Sequence, residues 1–137
     1  MSIELQKINS FIDQHHVLTL ATSDGKDLSA CSLFYAYEPG SQTFVVASSD
    51  DTLHIQHILK NNKIAGNILL ETDEVGKIQG LQFRGVFIKN EDKKLSKLYF
   101  KKFPYALVLH PTLWKIEVNY FKLTDNRLGF GKKIIWP

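Results

Sequence analysis

Cysteine is nearly missing from this chain, with Cys31 alone among 137 residues. A single cysteine excludes an internal disulfide and any zinc site built from paired thiolates, so packing must hold the fold. Long apolar runs are also missing. A run such as Leu33 to Tyr37 falls far short of the ~20 residues a membrane-spanning helix needs. There is no Walker loop, no glycine-rich dinucleotide fingerprint, no repeat and no low-complexity tract. The opening stretch, Met1 to Asn9, carries Glu4 and Lys7 and lacks the basic-then-apolar layout of a secretory signal. A cytoplasmic protein with no membrane association is expected.

What is present fits one globular domain over residues 1–137, since 44% of the residues are hydrophobic and 23% charged. The net charge of +3 is mild, and its distribution is more informative. Lys89, Lys93, Lys94, Lys97, Lys101 and Lys102 fall within fourteen residues, offset there only by Glu91 and Asp92. A basic helix face follows. Nucleic-acid binding would call for arginines or stacking aromatics along that stripe; here it reads as a solvated face, and no nucleic-acid partner is expected.

Apolar periodicity divides the chain into elements. Residues 3–14 place Leu5, Ile8 and Phe11 or Ile12 on one helical face behind Ser2, a cap. His16 to Thr22 and Leu28 to Tyr37 read as strands joined by a turn through Ser23, Asp24 and Gly25. After a turn at Glu38 to Ser41, Thr43 to Ser48 is a third strand. It runs into a helix opened by Asp50, Asp51 and Thr52, with Ile55, Ile58 and Leu59 as its apolar stripe. Ile64 to Thr72 and Ile78 to Lys89 form a long hairpin through residues 73–77. The lysine-rich helix follows, capped by Asn90, burying Leu95 and Leu98 or Tyr99, and stopped before Pro104. Trp114, Ile116 and Val118 then alternate with polar residues. The phase slips at Tyr120, after which Phe121 and Leu123 take the apolar positions, as an inserted bulge residue would cause. Asp125 and Asn126 turn the chain into a last segment, Arg127 to Trp136. The expected fold class is mainly β with flanking helices: six to seven mostly antiparallel strands in a closed, Greek-key-like barrel.

Three local motifs, in this element order, resemble the FMN-binding split-barrel superfamily typified by pyridoxamine phosphate oxidase. In Phe44-Val45-Val46-Ala47-Ser48-Ser49-Asp50-Asp51-Thr52-Leu53-His54, the residues Ser48, Thr52 and His54 fall where that superfamily places two hydroxyls and a basic residue around a phosphate. Gln82-Phe83-Arg84-Gly85 is similar to its Gln-x-x-Gly. The tail Gly129-Phe130-Gly131-Lys132-Lys133-Ile134-Ile135-Trp136, preceded by Thr124-Asp125-Asn126, resembles that of a short bacterial branch of the superfamily. The resemblance implies a split barrel, an FMN cofactor and a homodimer whose sites draw on both subunits. It further implies that Ser48, Ser49, Thr52 and His54 hold the phosphate, that Ala30, Ser32, Leu33 and Phe34 line the flavin ring, and that Gln82 hydrogen-bonds to the flavin. Lys132 would supply compensating charge and Trp136 a cover.

The phosphate turn also has a rationale of its own, because hydroxyls and free N–H groups at a helix start favour an anion. Thr52 or Asp51 could equally serve as a plain cap. The turn departs from the family pattern: Asp50 and Asp51 stand in it, and His54 replaces lysine, so the local charge is negative unless His54 is protonated. Two readings are therefore carried forward. One is a flavin-dependent oxidoreductase acting on a small substrate, its chemistry supplied by FMN. The other is a flavin-free dimer that binds a different small ligand or a protein; haem in place of flavin also stays open. His54 and His57 share a helix face, but no further ligand stands at recognisable spacing, so no metal is expected. Cys31 has no evident base, and no catalytic residue is assigned.

Overall fold

The computed structural model describes residues 1–137. In chain order the elements are α1 (Ile3–Asp13), β1 (Val17–Ser23), β2 (Leu28–Phe34), β3 (Ala36–Glu38), β4 (Thr43–Ala47), α2 (Leu53–Lys60), β5 (Lys63–Leu69), β6 (Gln79–Lys89), α3 (Lys93–Lys102), β7 (Leu113–Asp125) and β8 (Lys133–Trp136). One antiparallel sheet runs β2-β1-β5-β6-β7-β4-β3, with β8 added beside β7. Its two ends, β2 and β3, are consecutive in the chain and separated only by Tyr35. The sheet therefore curls until its edges meet through a covalent corner.

β7 is the strand on which the barrel splits. Along one side it pairs with β6 from Leu113's neighbour Trp114 to Asp125. Its other side is shared: Leu113 to Glu117 pair with β4, and Phe121 to Thr124 pair with β8. The bulge foreseen at Tyr120 is present. Arg84 pairs with Tyr120 and Gly85 with Val118, which leaves Asn119 as the extra residue. The bulge draws two backbones together, because a Cβ on Gly85 would collide with the carbonyl oxygen of Glu117.

Inward-facing residues fill the barrel with aromatics. Phe44 lies between Phe83 and Tyr35, at centroid distances of 4.9 and 5.1 Å, and all three are buried. Helix α1 closes one end with Leu5, Ile8, Phe11 and Ile12, and Ser2 Oγ caps it by accepting from Leu5 N at 3.1 Å. On the outside, Leu95 and Tyr99 of α3 pack with Ala36, Val45 and Leu113. β4 is thus covered on both faces, which explains its unbroken apolar run Phe44-Val45-Val46.

Several boundaries differ from expectation. Leu28 to Tyr37 is two strands, because Tyr35 leaves the ladder to donate its N–H to His16 O and its hydroxyl to Ile12 O at 2.6 Å. Lys102 Nζ locks the corner by donating to Tyr35 O at 2.7 Å. The strand begun at Ile64 stops at Leu69, and the expected simple hairpin contains a 3-10 turn at Val75–Lys77. Asp92, not Asn90, caps α3, accepting from Lys94 N at 2.8 Å. Only Lys133–Trp136 of the final segment is strand, after a 3-10 turn at Asn126–Leu128. Asp125 shapes that turn by accepting from the Arg127 backbone and guanidinium at 2.9 to 3.0 Å. The result is eight strands rather than six or seven. No helix is long and apolar enough to cross a membrane.

Candidate functional site

The junction from β4 to α2 is held by its backbone first. Ser48 N donates to Thr112 O at 3.2 Å, and the Trp114 indole Nε1 donates to Ser48 O at 3.1 Å. With both backbone groups committed, the Ser48 Cα is fixed in place, and the side-chain Oγ shares a 2.7 Å hydrogen bond with His54 Nε2. Thr52 stands at the N-cap position of α2 but makes no side-chain cap. Its hydroxyl turns back to donate to Ser49 O at 2.8 Å and lies 3.4 Å from the same imidazole nitrogen. The expected plain cap is therefore not formed, and the first N–H groups of α2 lack a side-chain acceptor. Such a helix start suits an anion through its free donors and the helix dipole.

Burial, and secondarily the proximity of His57, hold His54 below the ordinary histidine value. The imidazole is therefore neutral at pH 7 in the free protein. Asp50 and Asp51 flank the junction, both exposed, and neither forms an ion pair with a protein cation. His57 is used differently: it is buried, and its Nδ1 shares a 2.9 Å hydrogen bond with Thr22 Oγ1 on β1. That bond fixes α2 against the barrel. No three His, Cys, Asp or Glu side chains are placed so that they could hold a metal ion together.

The other residues singled out from sequence separate into distinct places. Ala30, Ser32 and Phe34 are exposed on the outer face of β2, whereas Leu33 points the other way and packs against the core. Strand alternation sets Leu33 on the face opposite to Ala30, Ser32 and Phe34. Ser49 is exposed beside Ser48. Lys132 is exposed next to β8, whose Lys133 pairs with Thr124, while the Ser48 end of β7 is marked by the pair Ala47 and Leu113. That separation is a strand contour of roughly 36 Å at ~3.3 Å per residue, so Lys132 and the Ser48–His54 turn lie toward opposite ends of β7. Trp136 packs on Phe121 at 5.8 Å between centroids. It is partly buried and packs against the core there.

Gln82 lies on the outer sheet face in a concave recess of about 570 Å³. Strand register assembles this recess in two parallel rows. One row is Ser32, Thr19, Asn67, Gln82 and Lys122; the other is Ala30, Ala21, Ala65, Arg84 and Tyr120. The rows continue onto Ala30 and Ser32 of β2; the lining residues other than Gln82 had no assigned role from sequence because they come from four strands, β1, β5, β6 and β7, and the available signal was the polar phase of each strand. Cys31, half-buried on the core side of β2, has its thiol pushed up by burial, which favours the protonated thiol at neutral pH.

No family model matches the chain. It is 32% identical over 136 residues to a UPF0306 protein of Serratia proteamaculans, covering 97% of this chain and 94% of that protein. It is 36% identical over 135 residues to a UPF0306 protein of Enterobacter sp. strain 638, covering 96% and 95%. Among solved structures it is similar to a heme binding protein from Mycobacterium smegmatis, with TM-score 0.80 and 16% identity over 99% of this chain; the chain spans 58% of that protein's length. A fad-binding protein from Mesorhizobium loti gives TM-score 0.73 at 11% identity, covering 86% and 90%. A putative 5-nitroimidazole antibiotic resistance protein from Bacteroides thetaiotaomicron gives 0.71 at 17%, covering 86% and 81%. At these identities the structural likeness establishes the split-barrel fold alone.

Proposed function

Since this chain belongs to the UPF0306 family and folds as a split β-barrel, we propose that it is an FMN-binding homodimer that acts as an oxidoreductase on a small substrate. The observation that carries this reading is the start of α2, where Ser48, Thr52 and His54 converge on a helix end without a side-chain cap. The donor set fits a phosphate: a buried hydroxyl, an imidazole and free backbone N–H groups, each able to donate to an anionic oxygen. His54 would take up a proton as the dianion arrives, since a nearby negative charge favours imidazolium. Ser48 would keep that ring oriented, and Trp114 would keep Ser48 in place. Ala30, Ser32 and Phe34 offer an exposed strand face for a flat ring, and Gln82 offers a polar contact from the same or the partner subunit. Bound FMN would supply the electron transfer, which the side chains here do not perform.

The test is a fluorescence titration of FMN with purified protein, alongside the visible spectrum. Quenching at micromolar protein with a retained yellow species is expected, weakened about tenfold or more by Ser48→Ala and by His54→Gln. Unquenched FMN and a colourless protein would overturn the reading. The exposed pair Asp50 and Asp51 favours one alternative, a flavin-free dimer that binds another small ligand, which would leave FMN fluorescence unchanged while a different molecule co-purifies.

A further inference from the structure

The recess on the outer face of β1, β5, β6 and β7 has a chemistry of its own. Its ten lining residues include two cations, Arg84 and Lys122, and no carboxylate. Neither cation belongs to any of the ion pairs in the molecule. The Arg84 guanidinium lies 4.1 Å from the centroid of the Tyr120 ring, stacked on an aromatic face and making no hydrogen bond to another side chain. An arginine held in this way keeps its planar fork of donors free.

The backbone builds this arrangement. The bulge at Asn119 resets the alternation so that Tyr120 faces outward under Arg84 while Phe121 returns to the core. Gly85 permits it, because a side chain there would strike the opposing strand. Bulges recur beside binding sites because they re-aim a side chain in this manner. The floor is low because Ala21 and Ala65 present only methyl groups there, while Gly66 between Ala65 and Asn67 faces inward, where a Cβ would meet the buried Phe83 ring. Thr19, Asn67 and Gln82 add neutral polar groups along one wall. A second recess of about 520 Å³ shares Arg84 and Tyr120 and contributes Lys63, so Arg84 stands between two openings whose lining side chains include cations and no acidic residue.

We propose that Arg84, Tyr120 and Lys122 form a recognition site for a small aromatic or planar molecule bearing a carboxylate or phosphate, with the anion on the two cations and the flat body on the small-residue floor. In the flavoprotein reading, on which this assignment rests for its role, the molecule is the substrate or its analogue. The binding itself needs no flavin. Arg84 supplies a bidentate fork, which fits an oxyanion better than a lysine point charge does.

The experiment is a nitrogen-15 NMR titration of the full chain with phenyl phosphate, benzoate and neutral benzamide, run in parallel with the FMN titration. Phenyl phosphate and benzoate should shift the amides of Gln82, Arg84, Tyr120 and Lys122, and benzamide should bind about tenfold more weakly or not at all. Arg84→Gln should weaken both anions at least about tenfold, as expected for loss of a charge-assisted contact, with Lys122→Gln as an independent second variant. The two arms separate the claims. Anion binding without FMN binding sinks the flavoprotein reading and leaves the recess assignment standing; FMN binding with no anion shifts at millimolar ligand sinks the recess assignment alone. The assignment also falls if benzamide binds as well as benzoate, if Arg84→Gln changes oligomeric state and not affinity, or if it abolishes FMN and phenyl phosphate binding together.

Discussion

Replacing Thr22 by valine removes one hydroxyl from the interior and changes almost nothing else, since the two side chains have nearly the same shape. Thr22 and His57 are only 3% and 4% exposed, and their hydrogen bond measures 2.9 Å. In the variant, His57 Nδ1 would be buried without a partner, which costs about 1–3 kcal/mol. A loss near ~2 kcal/mol corresponds to a Tm drop of roughly 4–8 °C for a chain of this size. Adding His57→Leu should recover most of the loss, because two apolar partners leave no polar group unsatisfied. Urea melts of Thr22→Val, His57→Leu and the double variant form a cycle whose coupling term isolates the pair, with m unchanged if the denatured state is unaffected. The reasoning is refuted if Thr22→Val lies within ~0.3 kcal/mol of the parent, or if the double variant shows simple additivity.

The remaining predictions concern protons and close backbone approaches. FMN affinity should rise as pH falls from 8 towards 6, by up to about tenfold per unit, because His54 is neutral in the free protein and gains a proton on binding. The window closes near pH ~6, where the phosphate itself titrates, and His54→Gln should flatten the profile in fluorescence titrations. In the free protein the sign reverses. His15 and His54 are both held below their ordinary value, chiefly by burial, so the unfolded chain binds more protons below pH ~6.5. Their contribution is fully present above that pH and lost as pH falls towards the folded-state values; urea midpoints at pH 7.5 and 5.5 should differ in that direction, less so in a His15→Gln/His54→Gln variant. Gly85→Ala should destabilise by about 2 kcal/mol or more through its clash with Glu117 O. Gly76→Ala, which meets nothing within 4 Å, should stay within ~0.5 kcal/mol in the same urea melts.

Much of this architecture is legible in the chain because local chemistry and global packing agree. The bulge could be read from the slip between Val118 and Phe121, since a two-residue period cannot skip a phase without an inserted residue. α2 was legible from Asp51-Thr52 followed by Ile55 and Ile58. The corner at Tyr35 was not, because no glycine or proline marks it; the break comes from bonds to Ile12 and His16, both remote in sequence. The two faces of β2 were not separable by pattern, because apolar residues occupy both of its phases. The recess was invisible for a different reason: Thr19, Asn67, Arg84 and Lys122 become neighbours only through the β1-β5-β6-β7 register, which no local pattern encodes. At the phosphate turn, the residue types were readable but not the backward rotation of Thr52 that leaves the helix start uncapped.

The central claim, that Ser48, Thr52 and His54 hold the phosphate of a flavin in a dimeric barrel, is tested most directly by native mass spectrometry of the protein incubated with FMN. The account predicts a dimer carrying one FMN per subunit, with occupancy sharply reduced in the Ser48→Ala/His54→Gln variant. An unliganded species at micromolar FMN, or equal occupancy in that variant, would contradict it.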